Sequence, residues 1–351
     1  MRTNRSILAF AVMLTFLVAA EAGARILEPK LPAPQVWDTP FVQDKAIRIE
    51  ELGDVDIAII GSSIANASID VTAIADAIDW ADTGYNASNP GSAIREWGAW
   101  DEDLVLPELC PEIVVISMGP RDTNDHEPSD ERELSDYLDS EGRRRLYGEE
   151  TVGESIESFF QENFALVAIR ERLREPRNLY RYLNGESISS WEARLTPDGR
   201  FRGFDGGHYV DDPERDRRLR EGELRDYQVG PIQFDSLKEI IEGVKATGAY
   251  VVIVDMPLMR DQLAAAVVDD GQRDLDDYDR ALSALATETG VTVLSYPDMN
   301  DNGTFYADLY HMALPGTREI SARVGRDLAE LFPQRPEVAC AIRPPHEAAD
   351  N

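Results

Sequence analysis

The sequence predicts an α/β fold in which a five-stranded parallel sheet lies between two layers of helices, with a long helical insertion between strands 3 and 4. Three observations carry this reading. Short apolar runs rich in β-branched residues recur along the chain, each too short for a helix. Between them lie stretches whose apolar residues repeat at helical spacing. Strand and helix patterns alternate, the order that builds a parallel sheet covered on both faces.

Taken in order, the chain opens with Arg2 and Arg5 ahead of the apolar run Ile7 to Ala20, followed by "EAGAR" with small residues in an A-x-A arrangement. That is an export signal. It has two fates, a signal peptide cleaved near residues 22–24 or a retained anchor, because "EAGARIL" can lengthen a run otherwise short of the roughly 20 apolar residues a span needs. Residues 1–24 are therefore read as signal or anchor and 25–50 as a stem bearing "LEPKLPAPQVWDTP". An α/β domain at 51–335 and a tail at 336–351 follow. Within the domain the strand runs are Val55–Ile60, a weaker one ending at Tyr85, Ile113–Ser117, Tyr250–Val254 and Val291–Leu294. Asp235 can cap a helix carrying Leu237, Ile240, Ile241 and Val244 that stops at Gly248. Tyr278, Leu282 and Leu285 share a face ahead of Gly290, and Ile320, Val324, Leu328 and Leu331 line the last helix. The insertion, 126–229, is strongly charged, with an amphipathic stretch at Ile156, Phe159, Phe160, Phe164, Val167 and Leu173. We read it as a cap or partner-binding lobe, since the α/β pattern resumes beyond it.

Composition restricts the function. The chain of 351 residues has 35 basic and 66 acidic side chains, a formal charge of −31. Such a field repels phosphate backbones, so nucleic acid is not an expected partner. Two cysteines, Cys110 and Cys340, can pair in an exported protein or remain separate thiols. No metal or other cofactor is expected: the chain lacks an H-x-x-x-H pair, and "DDGQRDLDD" lacks the glycine and ligand spacing of a calcium loop.

The chemistry-bearing residues sit after strands. "DVDIAIIGSSIANASID" carries strand 1 into Gly61, Ser62 and Ser63 and then into a helix, and in such sheets ligands bind at the carboxyl ends of the strands. A serine there is either a helix cap or a nucleophile whose own N–H faces developing charge. A nucleophilic serine needs a base, and a base needs an orienting acid; "FYADLYHMALPG" supplies Asp308 and His311 after the fifth strand. Tyr85, Trp97 and Trp100 flank the segment after strand 2 and are either sugar-stacking platforms or core.

These blocks resemble the SGNH or GDSL-type hydrolases. "GSS" matches the first block with Ser63 at the nucleophile position, "YNASNPGSA" the second with Gly91 as an oxyanion donor, and "DLYH" the last with Asp308 and His311. The third block, "ISMGPRDTND", keeps Gly119 and Asp122 in register but has Arg121 where the family has asparagine. The resemblance implies a flavodoxin-like three-layer sandwich, and an oxyanion hole made by Ser63, Gly91 and either Arg121 or Asn124. Within the family, "GSS", "PRD" and "VVIVDMP" are similar to exported or membrane-anchored proteins linked to polysaccharide O-acetylation. That implies an acetylated glycan or small ester as substrate, hydrolysed or transferred through acyl-Ser63, in an extracytoplasmic enzyme. A second reading keeps the fold as a catalytically weak docking component of a membrane-bound acetylation system.

Overall fold

In the computed structural model the described residues are 2–31, 40–126, 156, 159–160, 163–174, 176–184, 195–267 and 270–336. The chain divides into two compact units, one formed by Met1–Asp44 with Ser135–Glu192, the other by Lys45–Leu134 with Ala193–Asn351. The second part of the predicted insertion, from Ala193, thus belongs to the same unit as the sheet, and so does the end of the predicted stem, from Lys45.

The larger unit contains five parallel strands, β1 (Ile57–Gly61), β2 (Gly84–Asn86), β3 (Ile113–Met118), β4 (Tyr250–Asp255) and β5 (Thr292–Ser295), in the flavodoxin-like order β2-β1-β3-β4-β5. β1 and β3 are buried throughout because helices cover both faces. Alternation along the strands divides the core. Ile57, Ile59, Ile113, Val115, Val252 and Val254 pack in one cluster with Ile74, Ile320, Val324 and Leu328. The helices Ile94–Trp100 and Pro231–Ala246 contact each other and pack on β1 and β4 respectively, where Ala58, Ile60, Val114 and Ile116 are also buried.

Two helix expectations change. The helix expected to begin at Asp235 begins at Pro231, with Gly230 as N-cap, because proline at the first turn has no N–H to leave unsatisfied. Leu331 ends the helix Leu314–Leu331 and is exposed, while Ile320, Val324 and Leu328 are buried. The helix Gly271–Thr289 ends on Gly290 at φ +67° and buries Tyr278, Leu282 and Leu285.

In the smaller unit, Arg2–Leu27 is one helix, and Ala9–Leu27 within it is long and apolar enough to cross a membrane. Short helices follow at Ala165–Ala168, Arg170–Arg174 and Pro176–Leu183. Cys110 is disulfide-bonded; Cys340 lies outside the described residues, as does the predicted tail after Arg335 and Pro336.

Candidate active site

The turn after β1 is shaped by Gly61, at φ +151°. A Cβ there would lie 2.3 Å from the Ser117 carbonyl oxygen and 2.6 Å from the Ala65 Cβ, so only glycine lets the helix Ser63–Ser68 start this close to β3. Ser62 is the N-cap, its Oγ accepting the Ile64 N–H at 3.2 Å. Its hydroxyl also donates to the Asp122 carboxylate. Capping is thus the work of Ser62, and Ser63, at the first helical position, keeps its hydroxyl for another partner. The N–H of Ser63 lies in the first turn, where no intrahelical acceptor exists.

That partner is His311. The Ser63 Oγ lies 2.9 Å from His311 Nε2, and His311 Nδ1 lies 2.8 Å from Asp308 Oδ2. The other Asp308 oxygen accepts the backbone N–H groups of Tyr310 at 3.0 Å and His311 at 2.7 Å, locking the carboxylate in a tight turn. This turn is closed by the Ala307 N–H to the His311 carbonyl, and Met312 N–H donates to the hydroxyl of Ser68, at the end of the Ser63 helix. Burial raises the Asp308 pKa, but the imidazole and these two N–H groups outweigh it and hold the carboxyl below its ordinary value.

The imidazole is enclosed by rings. Phe204 stacks on it with centroids 4.2 Å apart and planes 9° apart, and Tyr310 meets it edge-on at 4.7 Å. Phe204 belongs to a strap, residues 195–207, bound to the Ser63 helix and to the His311 side of the site. Phe201 N–H donates to the Asn66 carbonyl, and Arg200 makes a bidentate pair with Asp205, at 2.7 and 3.1 Å, while also reaching the Ala67 carbonyl. The Asp205 carbonyl accepts the Leu314 N–H. Motif reasoning missed Phe204 and the strap, since Phe204 lies 107 positions from His311 in sequence and carries no local signature. Tyr310 was within reach of it, inside "DLYH".

Of the expected oxyanion residues, Arg121 and Asn124 have their side chains engaged elsewhere. Gly91 sits in the exposed turn after β2 at φ +82°. Arg121 is buried, 4% exposed, and its guanidinium is engaged by Glu223 at 3.1 Å, by Asp122 at 3.2 Å and by the Ser92 carbonyl at 3.4 Å. Glu223 also accepts the Tyr310 hydroxyl at 2.5 Å, which, after burial, helps to hold that phenol well above its ordinary pKa. The amide of Asn124 donates to the Glu223 carbonyl, and its Oδ1 accepts from His126 and Gln228, joining the two ends of the insertion. Both side chains are therefore committed to ion pairs and backbone groups.

The sugar-stacking expectation is corrected. Tyr85, Trp97 and Trp100 are 1%, 1% and 3% exposed, with the indoles donating to the Ser92 hydroxyl and the Ala87 carbonyl, so these rings are core. Lys45 lies over the Tyr85 ring and donates to the carbonyls of Asn86 and Ser88 at 2.5 and 2.7 Å, which fixes the segment leading to Gly91. A crevice too narrow to admit a water molecule is lined by Ile64, Gly119, Pro120, Arg121, Met256 and Tyr310. Among the described residues no cluster of His, Cys, Asp and Glu has the geometry to hold a metal.

No known protein family matches the sequence, and no curated protein does either. Solved structures similar to this chain include an acetyl-xylooligosaccharide esterase from Geobacillus stearothermophilus, with a TM-score of 0.39, 12% identity, and coverage of 82% of this chain and 100% of that one. A carbohydrate acetylesterase from Sinorhizobium meliloti gives 0.38, 11%, 79% and 100%. At these scores the likeness carries no argument about activity.

Proposed function

We propose that this protein is an SGNH-type serine enzyme of acyl transfer, an esterase or O-acetyltransferase acting on acetyl esters of an extracytoplasmic glycan. The observation that carries the reading is the continuous line from Asp308 through both ring nitrogens of His311 to the Ser63 hydroxyl. His311 takes the Ser63 proton as Oγ attacks the acetyl carbonyl, and Asp308 orients the ring and stabilises the imidazolium. The oxyanion is held by the N–H of Ser63 and the N–H of Gly91. His311 then returns the proton to the departing sugar oxygen, leaving acetyl-Ser63. Water completes hydrolysis, or a second sugar hydroxyl accepts the acetyl group.

Further support comes from the likeness of "GSS", "PRD" and "VVIVDMP" to O-acetylation proteins. Export is supported by the disulfide at Cys110, a bond at home in oxidising compartments, and by the apolar N-terminal helix. The engagement of Arg121 and Asn124 favours one competing reading, a docking component of a membrane acetylation system with a weak site. Fluorophosphonate labelling of the full-length protein, with mass spectrometry of the labelled peptide, separates the two. The enzyme reading expects modification of Ser63, lost in Ser63→Ala and His311→Ala. Folded wild-type protein that stays unlabelled overturns it in favour of docking.

A further inference from the structure

We propose that Phe159 and Phe160 with residues 163–174 and 176–180 form a membrane-interfacial platform, lying on the headgroup surface of an anionic bilayer beside the point where the N-terminal helix leaves the membrane. The helix itself is the first observation. From Ala9 to Ala19 its side chains are exposed, Phe16 at 71%, and an unpartnered apolar surface of that length is stable in lipid rather than in water.

The helix carries its own depth marker. Its apolar run ends at Ala20, and the first charges after it are Glu21 and Arg25, paired at 2.9 Å. Charges one turn apart mark the passage from hydrocarbon to headgroups. The second segment is attached at this level. The Glu21 carboxylate accepts the N–H groups of Ala165 and Leu166, both at 3.0 Å, and Arg25 donates to the Asn163 carbonyl at 2.8 Å. Ala24 and Leu31 close a small core with Ala165 and Ile169.

What this attachment holds at the interface is an aromatic cluster. Phe159, Phe160 and Phe164 are all exposed, Phe159 at 55%, with centroids 5.7 and 5.3 Å apart in sequence order. Phe164 N–H donates to the Phe160 carbonyl and the Asn163 side chain to the Phe159 carbonyl, and Phe164 is the extended N-cap of the helix Ala165–Ala168. Exposed phenyl rings in contact are costly in water and favoured at the acyl boundary of a bilayer.

Charge selects the lipid. Charge is uneven along the segment: Glu157 and Glu162 stand among the phenylalanines, whereas "RERLREPRNLYR" at 170–181 holds Arg170, Arg172, Arg174, Arg177 and Arg181 against Glu171 and Glu175, so the basic end is the one that meets anionic headgroups. Arg174, Arg177 and Tyr180 are exposed, Tyr180 at 67%. Arginines with interleaved aromatics on short helices beside an apolar anchor have the composition of an interfacial element that attracts anionic headgroups. The acidic remainder of the chain repels the same surface.

The test uses the full-length chain in lipid-only nanodiscs of phosphatidylcholine, with and without phosphatidylglycerol. An environment-sensitive fluorophore is attached at Phe160→Cys or, separately, Tyr180→Cys; among the described residues no cysteine is free to compete. The expected result is blue-shifted emission, quenched severalfold more by a nitroxide on the lipid than by aqueous iodide. At position 180 the effect grows with phosphatidylglycerol and loses that growth in Arg174→Gln/Arg177→Gln. The proposal is overturned if both labels emit as in water and ignore the lipid nitroxide, or if shielding appears only in native membranes, which would make the occupant a protein. N-terminal sequencing of membrane-purified protein that begins beyond Ala24 overturns it as well.

Discussion

His311 is constrained on its edges by hydrogen bonds to Asp308 and Ser63 and on its faces by Phe204 and Tyr310. These constraints separate by substitution. Asp308→Asn keeps the shape of the turn but offers an amide where the imidazole needs an acceptor. In triad enzymes this change costs on the order of 10⁴ in turnover, so ester turnover should fall by about that factor with KM little changed. Loss of folding in that variant, seen by circular dichroism, would instead assign the carboxylate to the turn. Phe204→Ala removes a stacking contact worth about 0.5–1.5 kcal/mol, so kcat should drop by roughly 2- to 10-fold. Phe204→Tyr should restore it, because the ring and not the volume alone sets the imidazole plane. A change confined to KM would mean that Phe204 touches substrate and does not position the histidine. At this scale the sequence was informative only where chemistry is local. Ser63, Asp308 and His311 stand in short blocks with recognisable spacing, whereas Glu223, which links Arg121 to Tyr310, lies 102 and 87 positions from its partners. No periodicity records such a contact.

Among the elements, the strands were legible because a parallel strand buried on both faces must be a short β-branched run, and β1, β3 and β4 fall where those runs lie. Asp235 looked like a cap, but Pro231 after Gly230 starts that helix earlier. The aromatic residues in and after β2 were ambiguous in sequence, since a ring that stacks on sugar and one that fills a core have the same composition; burial resolves them as core. One element carries an unforeseen titration. Asp101 opens a π-helical turn, Asp101–Val105, and is 1% exposed with one carboxyl oxygen unpartnered among the described residues. Burial, aided by Glu102, pushes its pKa up to about 8. In the unfolded chain an aspartate titrates near about 4. Its folded value lies above the unfolded one, so the native state holds the extra proton. The associated stability is present below about pH 4 and is lost as pH rises through the folded pKa, about 8. Asp101→Asn should therefore flatten the decline of thermal midpoint across this window and raise the midpoint at alkaline pH. An unchanged pH profile in the variant would show that other groups set it.

Charge governs the behaviour of the whole molecule. Acidic residues number 66 and basic residues 35, and the cross-links seen among them are mostly exposed pairs such as Arg217 with Glu214 and Glu221, Lys238 with Glu288, and Arg323 with Asp298. Exposed pairs contribute about 0–1 kcal/mol each and weaken in salt, which would lower stability as salt rises. The surplus of 31 acids acts in the other direction, because each repels its neighbours in the compact state more than in the extended chain. Screening works on both. At about 0.1 M salt the Debye length is near 10 Å, close to the spacing of neighbouring surface charges, so much of the repulsion is screened there. Since the surplus nearly equals the whole basic complement, relief of repulsion should exceed the loss of pairs. The thermal midpoint of the full-length protein should rise from about 10 mM to about 0.5 M sodium chloride and then level off, as the Debye length falls from about 30 Å to a few ångströms. An equal osmolality of sucrose should not reproduce the early, steep part of that rise. A midpoint that falls over the same range would show that the arginine pairs outweigh self-repulsion, and that the acidic surface is already neutralised by its own contacts.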